Sequence, residues 1–169
     1  CEALYTKSSF GRVSDNIVID GGQNSNAIAI KGKLKYAPSS EKLEVSRNIL
    51  RARNQVGALG ITIFGPTTDV SVEDNRLYGF LDGGINVVGG SARRVHVRRN
   101  KLNGCGGIPI YYKVGDVIGC DVSGNEINDQ YLPTPAEAAR EYNPYPDSGV
   151  YGAIGIMANA IAGQVSGFN

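Results

Sequence analysis

The chain has 169 residues, 17 Lys and Arg against 16 Asp and Glu, 23 glycines, three cysteines and no tryptophan. That length holds one domain with a real core, and net charge by itself names no partner. The composition suits a turn-dense all-β chain; the cysteines (Cys1, Cys105, Cys120) lack metal-ligand spacing, and no apolar stretch reaches membrane-spanning length.

Taken in chain order, the sequence repeats itself. The first unit is Ile17 and Ile19, then Gly22, then Ile28 and Ile30. The second is Leu43-x-Val45-x-x-Asn48-x-Leu50, followed by Gly60-Ile61. The third is Val70-x-Val72-x-x-Asn75-x-Leu77 with Gly84-Ile85, and the fourth is Val95-x-Val97-x-x-Asn100-x-Leu102 with Gly107-Ile108. The fifth, Cys120-x-Val122-x-x-Asn125-x-Ile127, meets its Gly155-Ile156 only after an insertion over 129–153. The asparagines stand 27, 25 and 25 residues apart, and Gly22 takes the Asn slot in the first unit.

Alternating Val-x-Val segments read as strands with one buried face. Asn and Gly between them bend the backbone through left-handed angles that β-branched residues avoid. A unit of this size cannot bury its own apolar face. Stacking successive units about 4.8 Å apart would bury it and lay like residues over one another. Asn suits such a column, because its amide donates to one neighbour and accepts from the other. The expectation is a single domain over 1–169: an all-β solenoid of parallel sheets with about five rungs and one loop and short-helix insertion. Thr134 and Pro135 mark the helix start in that insertion.

Stacking also sorts the surface into columns. Before the Asn, the outward positions read Glu44, Ser71, His96, Asp121 and then Ser46, Glu73, Arg98, Ser123. His96 over Asp121 suits a base oriented by a carboxylate, or equally a surface imidazole beside an acid. On the Gly-Ile strand the outward columns read Ala29, Thr62, Asn86, Pro109, Met157 and Lys31, Phe64, Val88, Tyr111, Asn159. Phe64, Val88 and Tyr111 would form an apolar stripe, to be covered by the insertion, a neighbouring subunit or the flat face of a sugar. Asp82 stands at the edge of this strand, between Ala58 and Cys105, as an acid or as turn chemistry.

The V-x-V-x-x-N-x-L…G-I-x-V pattern over roughly 15–160 resembles the right-handed parallel β-helices of the pectate-lyase-like superfamily. The resemblance makes the expected solenoid a right-handed parallel β-helix. It implies a polysaccharide-acting protein, a lyase, hydrolase or epimerase of secreted or phage-tailspike type, found outside the cell or on a virion surface. It equally includes passive adhesins and structural fibres, and tailspike-like members imply a homotrimer. The Gly-Ile strand carries no Asp, Glu or Arg in its outward slots, which departs from a calcium-dependent lyase site. No metal and no cofactor are expected.

Candidate acid and base residues are then Asp82, His96, Asp121, Asp129, Glu137 and Glu141. Asn86, Arg98, Tyr111, Tyr131, Tyr142 and Tyr145 are candidates for holding the sugar, since rings stack on its apolar faces and two acids can divide the proton work. The insertion could instead simply cover the sheet. Residues 42–101 hold ten basic and five acidic side chains, with Arg47 aligned to Arg99 and Arg76 to Lys101. Stacked like charges repel, so either acids or an anion must offset them. An acidic polysaccharide suits, and so, somewhat better, does a simply solvated basic face; nucleic acid fits less well, for want of interleaved aromatic platforms, and no membrane partner is expected. The chain opens on Cys1, and neither end shows a cap for open strand edges, so a processed product or an excised piece with missing flanking sequence is expected.

Overall fold

The computed structural model describes residues 2–6, 10–20, 25–31, 40–55, 58–131, 154–158 and 165–166. Among these residues all regular structure is strand, and every strand pairing is parallel. The chain coils through three sheets, a β-solenoid of about four turns. The first sheet stacks β1 (Leu4–Thr6), β4 (Ser25–Lys31), β7 (Ala58–Phe64), β10 (Ile85–Val88), β13 (Ile110–Val114) and β17 (Ile154–Ala158). The second stacks β2 (Gly11–Ser14), β5 (Ser40–Ser46), β8 (Thr67–Glu73), β11 (Ala92–Arg98), β14 (Val117–Ile118) and β18 (Val165–Ser166), with β15 (Asp121–Ser123) also on β11. The third stacks β3 (Ile17–Ile19), β6 (Ile49–Gln55), β9 (Arg76–Phe80), β12 (Lys101–Asn103) and β16 (Glu126–Asn128).

The parallel β-helix expected from the repeat is therefore observed. Its interior consists of aliphatic columns: Val13, Val45, Val72, Val97, Val122 on the second sheet, and Val18, Leu50, Leu77, Leu102, Ile127 on the third. On the first sheet Ile28, Ile61, Ile85 and Ile110 stack, with Ile30, Ile63, Val87 and Tyr112 two residues on. One fully buried Leu or Ile contributes about 1.5–3 kcal/mol, so these columns supply most of the cohesion between turns.

The asparagines line the corner between the second and third sheets. Asn48, Asn75 and Asn100 are fully buried. Each Oδ1 accepts twice, from the backbone N–H and the side-chain Nδ2 of the Asn one turn earlier, at 2.9–3.1 Å. The other Nδ2 proton of Asn48, Asn75, Asn100 and Asn125 goes to the carbonyl of Val13, Val45, Val72 or Val97, one turn earlier, at 2.8–2.9 Å. No amide capacity is left over inside the ladder.

Three expectations need correction. In the first turn the Asn slot belongs to Asn16, not Gly22: Asn16 bonds Asn48, and Val13 pairs with Val45 and Val18 with Leu50. Ile17 and Ile19 then follow the corner and face outward, 69% and 67% exposed. In the fourth turn Ile110, not Ile108, stacks on Ile85, so Tyr111 joins the Asn86 column and Lys113 the Val88 column. The constant spacing of 25, seen in Asn75 to Asn100 and Ile85 to Ile110, governs the register there, and the Gly-Ile dipeptide does not. In the last turn Ile154 rather than Ile156 joins the same column, opposite Ile110. Glycine does matter at Gly60 and Gly84, where a Cβ would strike the Gly84 carbonyl and Leu77, or Leu102 and the Pro109 carbonyl. The insertion, with its expected helix, lies outside the described residues from 132 to 153.

Removing one rung of the ladder tests its weight. Asn75→Ala orphans a backbone N–H, one Nδ2 proton of Asn48 and the Val45 carbonyl, a loss on the order of 3–5 kcal/mol. Asn125→Ala, at the half-buried end of the column, should cost only about a third of that. Urea denaturation of both variants reads the difference, and equal losses would mean that the ladder does not carry the corner.

Candidate functional site

Each sheet offers one outer face, and the three differ in what they leave available. The second face keeps the expected columns: Glu44, Ser71, His96 and Asp121 stand in register, as do Ser46, Glu73, Arg98 and Ser123. Most of its charges are spent on one another, although exposed Arg93 has no carboxylate partner among the described residues. The corner before the Asn places Asp15, Arg47, Asp74, Arg99 and Gly124 in one left-handed column, φ 52–62°. Sign alternates along it. Arg47 forks onto Asp15 at 2.8 and 2.7 Å, and Arg99 forks onto Asp74 at 2.9 Å and reaches Glu73 at 2.7 Å. A second left-handed column, Lys42, Asp69, Arg94 and Gly119, alternates in the same way, with Arg94 bonding Asp69 through Nε and Nη2. Planar guanidinium against carboxylate is the geometry that fits this stacking best.

The same economy governs His96 and Asp121. The two occupy adjacent positions, and Arg98 lies between them: it donates to Asp121 through Nε and contacts His96 Nδ1 at 3.2 Å. Burial pushes the Asp121 carboxyl up, but hydrogen bonds from Arg98 and Ser123 outweigh it and leave the group below its usual range. Arg98 also faces Glu73. His96, Arg98 and Asp121 thus form one polar cluster in which the arginine holds the carboxylate.

On the first face, Ala29, Thr62, Asn86 and Tyr111 share a column that alternates away from the interior cluster. This column is closed: Thr62, Asn86 and Tyr111 are each 2% exposed. The Thr62 hydroxyl and both amide atoms of Asn86 are buried without a hydrogen-bond partner among the described residues. Asp82, 7% exposed, lies in the turn leading into β10, with its N–H on the Ala58 carbonyl at 3.1 Å. Cys105, its other expected neighbour, turns into the interior and touches the Leu77 carbonyl. Phe64 and Val88 remain half-buried, and Lys31 sits 5.1 Å over the Phe64 ring. Tyr131 bridges to Gly106, in the turn between β12 and β13.

The third face is an open parallel sheet. Its outward columns are Ile17, Ile49, Arg76, Lys101, Glu126 and Ile19, Arg51, Tyr78, Asn103, Asn128. The Arg51 guanidinium lies 5.5 Å over the Tyr78 ring, leaving the charge outward. Lys101 pairs with Glu126 at 2.9 Å, and Glu126 also accepts from Asn128 at 2.8 Å. Arg76, exposed beside Lys101, has no carboxylate partner among the described residues. Three cations (Arg51, Arg76, Lys101) thus stand against the one acid Glu126 in these columns, with Asp129 at the corner, 3.4 Å from the Asn103 amide.

The candidate residues are therefore dispersed. His96, Arg98 and Asp121 cluster on the second face; Asp82, Asn86 and Tyr111 belong to the first sheet; Tyr131 and Asp129 lie near the far edge. Glu137, Glu141, Tyr142 and Tyr145 lie outside the described residues. Tyr78 was not singled out by sequence, although extending the columns one residue past Leu50 and Leu77 puts Arg51 opposite Tyr78. Among the described residues no three His, Cys, Asp or Glu side chains converge to hold a metal ion.

The arginine forks hold the carboxyls of Asp15, Asp69 and Asp74 below the usual range. The folded state then binds those protons less readily than the unfolded state. The resulting stability is fully present above roughly pH 4 and is lost as pH falls through the lowered values. Thermal melts should be flat from roughly pH 7 to 5 and fall below about pH 4, and Arg99→Met should shrink that acid-dependent loss. A steeper loss in the variant would contradict the pairing. Burial pushes the Cys105 thiol up to about 12 and raises that of Cys120 as well. Neither should be alkylated at neutral pH until urea unfolds the chain, as peptide mapping would read.

Comparison with family models, with curated proteins and with solved structures returned no match.

Proposed function

We propose that this chain is a β-helix that binds an acidic polysaccharide along the outer face of its third sheet, holding the polymer without cutting it. One observation carries the reading. The basic residues aligned in sequence divide into two sets: Arg47 and Arg99 are matched by Asp15 and Asp74, whereas Arg76 stands exposed beside Lys101 with no carboxylate partner among the described residues. A polyanion laid across the strands would supply that missing charge. Arg51 offers a guanidinium fork for a carboxylate or sulfate, and Tyr78 a ring edge beside it. Asn103 and Asn128 add amides for hydroxyl groups in the adjoining column. Cleavage asks for two carboxyl groups about 5–10 Å apart across the bond; in these columns the one acid, Glu126, is bound to Lys101 and Asn128. Such a role belongs outside the cell or on a virion surface, where such polymers are met.

A second reading, glycan cleavage on the first sheet, draws on Asp82, which is buried in the turn entering β10, the strand whose Asn86 amide has no hydrogen-bond partner among the described residues. One set of measurements separates the two. Calorimetry with an acidic polysaccharide such as polygalacturonate should give binding that weakens as salt is raised and that dextran does not reproduce. The double variant Arg51→Ala/Arg76→Ala should lose about tenfold in affinity, the 1.4 kcal/mol expected of two exposed charge contacts, while Arg94→Ala, whose guanidinium is paired with Asp69 on the second face, should lose nothing. Equal binding of dextran, or an unchanged double variant, would remove the proposal. Release of reducing ends or unsaturated product, abolished by Asp82→Asn, would transfer it to cleavage.

A further inference from the structure

The outer face of the third sheet changes character along the solenoid axis. It begins aliphatic: Ile17 lies in register with Ile49, and Ile19 stands two residues along the strand from Ile17. Ile17, Ile19 and Ile49 are 69%, 67% and 38% exposed, so half of the six large apolar side chains exposed among the described residues meet on this patch. Apolar side chains scattered singly over a surface need no explanation, but neighbouring ones mark a contact. They point off the sheet, so a further turn stacked on the edge of β3 would lengthen the face without covering them. Cations come next. Ile49 is in register with Arg76, and Ile19 with Arg51, so each outward column passes from isoleucine to arginine within about one strand spacing, ~4.8 Å. Further along the strand Arg53 is held by Asp20 at 2.7 Å, which bounds the patch on that side. Past the arginines, Lys101 is held by Glu126, and the adjoining column ends in the amides of Asn103 and Asn128.

We infer that the acidic polysaccharide held on this face is O-acetylated. The acetyl methyl sits on Ile17, Ile19 and Ile49, while a carboxylate of the same or the adjoining sugar meets Arg51 and Arg76. The inference rests on the polysaccharide reading of the face and adds the substituent to it. Two requirements select the occupant. A purely apolar ligand would leave both guanidinium groups unmatched, and an unsubstituted polyanion would set hydroxyl groups against isoleucine, where they find no hydrogen-bond partner. An acidic sugar bearing a short ester satisfies both at the spacing the columns impose. Branched aliphatic side chains standing up from a strand present methyl ends and not a flat surface. They suit a small alkyl group better than the face of a sugar ring, which packs on aromatic rings.

Calorimetry with polygalacturonate, and with the same polymer after O-acetylation, tests this directly, because acetylation leaves the carboxylates in place. The acetylated polymer should bind about fourfold tighter for each methyl seated. Ile17→Thr/Ile49→Thr keeps β-branching at exposed positions; it should abolish that preference and leave the affinity for the unmodified polymer unchanged. Ile19→Thr, as an independent variant, should reduce the preference, and Arg51→Ala/Arg76→Ala should weaken both polymers alike. Salt-sensitive binding of both polymers, with the acetylated one no tighter, would overturn the acetyl site and leave the polysaccharide reading standing. Failure of either polymer to bind at all would overturn both. A preference that survives Ile17→Thr/Ile49→Thr, or equal binding of acetylated dextran, would overturn the acetyl site as well. So would a dimer, seen by analytical ultracentrifugation, that Ile17→Thr/Ile49→Thr separates, since a second copy of the chain would then hold the patch.

Discussion

A buried amide that is both donor and acceptor fixes the geometry of this protein. Between the second and third sheets the chain must turn sharply inside the structure, where backbone N–H and C=O groups cannot reach water. The asparagine at each turn closes that gap by bonding forward to the next asparagine and backward to a valine carbonyl. An aspartate would lose the donors and a leucine would lose everything. Because the bonds are short and point along the solenoid axis, they also set the register: with Asn on Asn, Val45 must lie on Val72 and Leu50 on Leu77.

Strict superposition creates an electrostatic difficulty at the surface. Residues that repeat in type repeat in charge, and a strand spacing apart they repel. The second face resolves this by alternating sign along its left-handed corners, so that guanidinium forks meet carboxylates directly. These pairs are half exposed, and each adds little to stability. Their larger effect is on availability. A face whose acids and bases are matched has little attraction left for an outside charge. On the third face Arg76 and Arg51 are not matched by acids among the described residues, and that contrast sets this sheet apart.

Much of the architecture was legible because it rests on period. The Val-x-Val-x-x-Asn-x-Leu spacing yields strands, corners and stacking without further information, and the outward columns of the second face follow residue for residue. Asn16 escaped because 32 residues separate it from Asn48, although Val13-Ser-Asp-Asn16-Ile-Val18 has the same form as the later corners. The Gly-Ile dipeptide misled because residue identity was preferred to spacing. Gly107-Ile108 looks like Gly84-Ile85, yet the 25-residue repeat puts Pro109 and Ile110 there. That Tyr111 would be covered was legible from its apolar stripe, whereas the closure of the Asn86 column was not. Alternation tells which way a side chain points; it is silent about what lies above it. Nor could spacing reveal that Arg98 would take the carboxylate expected to orient His96, since both partners are outward and the choice depends on side-chain reach.

The alternating corner has a consequence for how such a protein can lengthen. Asp15, Arg47, Asp74 and Arg99 give the coil an odd and an even class of turn, so copying a single turn would set like beside like at the junction. Copying two together would leave the order intact. Growth by duplication in this chain is therefore favoured in pairs, and where the sequence does break step, at Gly124 and Gly119, the residue chosen has no charge and adopts the corner without strain.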